Sequence, residues 1–138
     1  MIIEDEIILE YKTFMRENSM FGEMFNVFPT TPKNEPKFPC AVLKDISDTN
    51  YNVTLNKIEY IDTISFQLDL YSKDIIMENK KYPARQVINE LRELTYKFFL
   101  KAGFNRDRDT RGETRSVELL RRTMIYSANI SSWNKNII

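Results

Sequence analysis

The chain has no histidine, one cysteine and three glycines among its 138 residues. Each shortage excludes a chemistry. Without imidazole, neither a Cys–His pair nor a Ser–His–Asp triad can be built, and the commonest transition-metal ligand is missing. A single thiol allows no internal disulfide, and with no histidine beside it a structural zinc site lacks donors. That thiol, Cys40, suits a reducing intracellular setting and reads as a small buried hydrophobe rather than a nucleophile. Gly22, Gly103 and Gly112 form no glycine-rich motif, so the sequence offers no phosphate cradle. No apolar run approaches the roughly 20 residues that cross a bilayer. Glu4, Asp5 and Glu6 stand where a signal peptide needs positive charge. The expectation is one soluble, unexported domain with no cofactor, no bound metal and no membrane contact.

What is present is secondary-structure pattern. In Ile64-Ser65-Phe66-Gln67-Leu68-Asp69-Leu70 apolar and polar residues alternate strictly. Side chains on a strand point alternately to its two faces, so Ile64, Phe66, Leu68 and Leu70 share a core face. Thr63, Ser65, Gln67, Asp69 and Tyr71 form a polar face for which the chain offers no covering element. A long helix follows over Ala84–Ala102, with Val87, Leu91, Leu94 and Phe98 on one stripe, widened by Ile88, Thr95, Phe99 and Ala102. Pro83 suits its first turn, and Gly103 suits the left-handed residue that ends helices. A first helix spans residues 3–17, with Ile3, Ile7, Tyr11 and Phe14 on one stripe. The Met/Phe-rich stretch Met20–Phe28 reads as a loop packed on the core edge. Prolines 29, 32 and 36 mark an extended linker.

Further strands are expected over Phe38–Ile46 and Arg121–Ser131, with Tyr51–Leu55 as a short strand or projecting loop. Lys73–Tyr82 reads as a polar connection interrupted by Ile75, Ile76 and Met77, which either tuck under the helix or meet a neighbouring subunit. After Gly103 comes Asn105-Arg106-Asp107-Arg108-Asp109-Thr110-Arg111. A regular strand here puts Arg106 and Arg108 on one face and Asp107, Asp109 and Arg111 on the other. The fold class is α+β: a mostly antiparallel sheet of about four to five strands with two helices packed on one face. Residues 1–37 supply the first helix and linker, 38–131 the sheet and second helix, and 132–138 a tail.

Charge is balanced but unevenly spread. Residues 1–60 hold six basic and ten acidic residues, a net of −4, and residues 61–138 hold fourteen and ten, a net of +4. A subunit with one acidic and one basic face can associate head to tail with copies of itself. A nucleic-acid binder would more typically carry a net basic excess. The one metal-dependent chemistry with any footing is a magnesium nuclease built on Asp62 and Asp69, with Glu59 or Asp45 nearby. Asp62 and Asp69 are seven apart and so point to opposite faces of a regular strand, and solvated strand charges are the simpler reading.

From Phe38 onward the chain resembles the tail terminator, or tail-completion, family of long-tailed bacteriophages and phage-tail-like particles. The resemblance rests on the Phe38-Pro39-Cys40-Ala41-Val42 strand, the long Thr63–Tyr71 strand and the Ala84–Ala102 helix. It continues with the helix-ending Gly103-Phe104 and the closing strand Arg121-Arg122-Thr123-Met124-Ile125-Tyr126. It covers roughly residues 38–131, and its motifs are architectural. It implies a virion protein, assembled in the host cytoplasm and located at the head-proximal end of the tail. Its subunits would form a homo-oligomeric ring, usually of six, that caps the tail tube, ends tube polymerisation and joins the tail to the head connector. Its partners would be its own copies, the tail tube protein, the connector or stopper protein and the sheath protein. DNA would pass through the ring lumen without being read, and no reaction would be catalysed. A stopper-type connector component is the neighbouring alternative, and the magnesium nuclease is the enzymatic one. Within this reading the interface residues are Arg106, Asp107, Arg108, Asp109, Arg111 and Arg115, with Ile75, Ile76, Tyr51 and Val53 on the projecting segments.

Overall fold

The alternation around Phe66 sets the architecture. In the computed structural model, which describes residues 2–32, 36–46, 63–112 and 119–129, Thr63–Ser72 forms the central strand of a five-stranded sheet. In chain order the elements are α1 (Ile2–Asn18), β1 (Asn26–Phe28), β2 (Cys40–Asp45), β3 (Thr63–Ser72), β4 (Ile75–Met77) and β5 (Lys80–Tyr82). They continue with α2 (Ala84–Lys101), β6 (Asn105–Gly112) and β7 (Leu120–Asn129). The sheet order is β1-β2-β3-β7-β6, antiparallel throughout except for the parallel β1–β2 pair. Both helices pack on one side of it, so the α+β architecture with a mainly antiparallel sheet is present.

The core lies between that side and the two helices. Ile64, Phe66, Leu68 and Leu70 of β3 meet Met124, Tyr126 and Ala128 of β7 and the apolar stripes of both helices. From α1 come Ile7, Tyr11 and Met15, all fully buried, and from α2 come Val87, Leu91, Phe98 and Phe99. Aromatic rings dominate the contact: Phe99 stacks on Tyr126 with centroids 4.4 Å apart and meets Phe104 edge-on at 5.2 Å. Each large side chain buried here contributes roughly 1.5–3 kcal/mol.

One hydrogen-bond chain crosses this apolar layer. Thr95 Oγ1 donates to the Leu91 carbonyl at 2.7 Å and stands 2.8 Å from Tyr11 Oη. The threonine's one proton is committed to Leu91, so Tyr11 is the donor to Thr95. Burial, only partly offset by that bond, pushes the Tyr11 phenol well above its ordinary value. The pair ties α1 to α2 inside the core.

The ends of α2 follow their sequence signals closely. Gly103 has φ 94°, Phe104 N–H bonds the Phe99 carbonyl at 2.8 Å, and Gly103 N–H bonds the Leu100 carbonyl at 3.1 Å. This is the Schellman arrangement, completed by the Phe99–Phe104 contact. Pro83 sits at the N-cap, one residue before the first turn, where it has no side chain able to cap. Asp74 substitutes from outside the helix: Ala84 N–H donates to its Oδ1 at 2.8 Å. That bond, ahead of the Lys81 ammonium nearby, holds the Asp74 carboxyl below its usual range.

Three expectations are corrected. Met20–Phe28 is not simply a loop: a short 3-10 turn at Gly22–Met24 leads into β1, which pairs in parallel with β2. Its three residues are too few for alternation to reveal. Lys73–Tyr82 is not a plain connection but the β4–β5 hairpin, turned at Glu78 and Asn79 with φ of 53° and 65°. Positive φ at both central residues matches the twist of the flanking strands. The polar side of β3 is also not bare. The register places Cys40 and Val42 of β2 beside Tyr71 and Asp69, and Cys40, Val42 and Asp69 are all buried. Tyr51, Val53 and Arg115, with the whole Tyr51–Leu55 segment, lie outside the described residues.

Candidate functional site

β6 closes one side of the sheet, and its sequence of alternating charges makes that edge the most polar element of the fold. The face assignment expected for it is corrected by a bulge. The register shifts between Arg106 and Arg108, so that Arg106 pairs with Tyr126, Arg108 with Ile125 and Asp109 with Met124. Two consecutive residues, Asp107 and Arg108, therefore occupy one step of the ladder. Arg106 and Arg108 end on opposite faces. Arg106, Asp109 and Arg111 turn toward the helices, and Arg108 and Thr110 toward the other side.

On the helix side, Asp109 gathers three guanidinium groups. Arg92 of α2 reaches Oδ2 at 2.7 Å, Arg106 reaches the same oxygen at 3.3 Å, and Nε of Arg122 meets Oδ1 at 2.5 Å. The Asp109 side chain is only 11% exposed. Burial alone would raise its carboxyl, but the hydrogen bonds from Arg122 and Arg92 outweigh that and hold it below the usual carboxylate range. Arg106 also lies over the Tyr96 ring at 4.3 Å from the centroid, a cation–π contact that fixes its direction. Three cations around one anion leave the cluster positive by two charges. Arg85, one and two turns from Asn89 and Arg92 on the same flank of α2, extends it.

On the opposite side, Asp69 is the organising acid. It accepts from Thr123 Oγ1 at 2.5 Å, Gln67 Nε2 at 3.1 Å and Arg121 Nε at 3.2 Å. It is 2% exposed, so the expectation of a solvated strand charge is corrected: the carboxylate is buried and paired. Gly112 faces Arg121 across the β6–β7 pair, and a Cβ there would stand 2.6 Å from Arg121 Cδ, so glycine makes room for that side chain. A second chain of bonds runs from Ser65 through Ser127 to Asp107. The Ser127 hydroxyl donates to Asp107, so Ser65 is the donor to Ser127.

The predicted residues are thus brought together only in part. Arg106 and Asp109 pair within the chain, and Asp107 is bonded to Ser127. Arg108 and Arg111 project, and among the described residues neither is ion-paired. In the hairpin, Ile75 is buried in the core, as expected if the segment tucks inward, and Ile76 is 73% exposed. Sequence reasoning missed Arg85, Arg92 and Arg122 as parts of the cationic surface. The first two could have been found from their common flank of α2, but Arg122 needed the register of β7 against β6.

For the nuclease alternative, Asp69 is held by Arg121 and Thr123, and Asp62 lies outside the described residues. No group of three or more metal-ligating side chains occurs among the described residues. Cys40 is buried, and desolvation pushes its thiol up to about 12. Comparison with known protein families finds no match for this chain, and comparison with curated proteins finds none either.

Proposed function

We propose that this chain is the ring-forming subunit of a tail terminator: a structural virion protein that caps the head-proximal end of a tail tube and joins it to the head connector. The observation that carries the proposal is the asymmetry of the sheet edges. One edge is the three-residue β1, beside α1, and the other is the eight-residue β6, with Arg108 and Arg111 projecting and a cationic cluster beside it. An edge strand offers unpaired backbone groups, and charged residues and a bulge are the devices that keep such an edge from pairing indiscriminately. Unlike ends suit head-to-tail contact between copies, which closes into a ring when the rotation per subunit allows. The resemblance in chain order from Phe38 to Ser131 supports the same reading.

The test is the mass of the purified protein in solution, alone and with tail tubes. A ring-sized mass, or end-on decoration of tubes that fixes their length, is expected. A monomer that neither binds tube ends nor changes tube length overturns the proposal.

A further inference from the structure

A groove of about 240 Å³ lies between the N-terminal half of α2 and the β6–β7 pair. Arg85, Asn89, Arg111 and Arg122 form its rim, and Ile88 and Leu120 line it among them. Arg121 borders it too, with Nε bonded to Asp69. Among the described residues lining it, none is acidic. Arg122 gives Nε to Asp109, whereas Arg85 and Arg111 are exposed and, among the described residues, form no ion pair. A cationic rim around apolar side chains is matched by a ridge with acids flanking an apolar side chain. A bare polyanion would match only the rim.

The same chain carries such a ridge. Glu6, Leu9, Glu10, Thr13 and Glu17 are spaced to share one face of α1, and all five are exposed. Leu9 is 64% exposed, an apolar side chain with acids three residues before it and one after. Lys101 borders Glu10 and Glu17 across the seam with α2, one cation against the ridge's three carboxylates. Within one copy the ridge cannot reach the groove. α1 lies over β1 and β2, the groove lies by β6 and β7, and α2 stands between them.

We infer that the acidic ridge of α1 in one copy docks into the arginine groove of the next, Leu9 over Ile88 and Leu120, with Glu6 and Glu10 against Arg85 and Arg111. The occupant is a second copy of this chain, and charge complementarity selects it. The two patches are different surfaces, so the contact is heterologous and extends around a ring. The inference rests on the ring-subunit reading and specifies its contact.

Charge exchange tests it. One variant carries Arg85→Glu and Arg111→Glu, making both its ridge and its groove acidic. The other carries Glu6→Arg and Glu10→Arg, making both basic. Each alone is expected to lose the assembled species in native mass spectrometry. Their equimolar mixture is expected to regain the wild-type mass, because acidic and basic chains can alternate. Should a reversal not fold, the glutamine variants at the same positions read the contact as a loss of assembled mass. If the wild type assembles and both variants assemble equally well, this contact is wrong while the ring reading stands. A mixture that stays dissociated also overturns the contact. If the wild type is monomeric with and without tubes, the ring reading fails and the contact with it. A monomer that binds short duplex DNA only when Arg85 and Arg111 are intact would make the groove a nucleic-acid site and overturn the inference.

Discussion

Asp109 shows how much can depend on one carboxylate. Among the described residues it is the acid ion-paired to Arg92, Arg106 and Arg122, and it joins α2, β6 and β7. Its partners are 26–31% exposed, so solvent weakens each pair, and the cluster is worth less than a fully buried network. Replacing Asp109 by Asn should destabilise the fold by about 1–3 kcal/mol, read from urea midpoints, because the arginines then repel one another without an anion. The pH dependence follows from the lowered Asp109 carboxyl. A depressed carboxyl contributes stability that is present above its unfolded value of about 3.9 and is lost as pH falls through the folded value. Wild-type stability should therefore fall on acidification below about pH 4, and Asp109→Asn should flatten that fall. An unchanged acid limb in the variant would contradict this assignment.

At the scale of elements, the Tyr11–Thr95 bond ties α1 to α2 alongside the Tyr11–Phe98 and Phe14–Phe98 ring contacts, and the two ends of that bond are not equivalent. Thr95→Val leaves a buried phenol without an acceptor and should cost about 1–3 kcal/mol. Tyr11→Phe removes the donor while Thr95 keeps its bond to Leu91, so it should cost only about 0.5–1.5 kcal/mol. The double variant should be less destabilised than the sum of the two. Equal single effects would show that the bond does not carry the pairing.

Legibility of these elements in the sequence followed their length. β3 and α2 could be read because seven or more residues held one period, and Gly103-Phe104 marked the helix stop within one residue. β1 and the β4–β5 hairpin were not legible, since three-residue strands have no period and Glu78 is an unusual residue at positive φ. At the candidate site, the residues of β6 were visible but their faces were not. A bulge is invisible in an alternating Arg–Asp string, and it moved Arg108 away from Arg106. Asp69 was misjudged because its burial depends on Arg121 and Thr123, 52 and 54 residues further along the chain.

For the whole molecule, the uneven charge of its two halves becomes a question of assembly. A contact built from Glu6 and Glu10 against Arg85 and Arg111 would lie at the surface, where salt screens it over a Debye length of about 10 Å at 0.1 M. Assembled mass should decline as ionic strength rises from about 0.05 to about 0.5 M, and a mass indifferent to salt would point to a contact dominated by apolar burial. The buried thiol on β2 has a different consequence. Cys40 sits between β1 and β3, is 1% exposed, and is the only sulfhydryl in the chain. Every molecule therefore carries one built-in chemical clock. A thiol reagent can modify native protein only when the β1–β2–β3 side opens, so its labelling rate, followed against denaturant, reads the free energy of that opening without any substitution. If ring assembly clamps this side of the sheet, the clock should run slower in the ring than in the free chain.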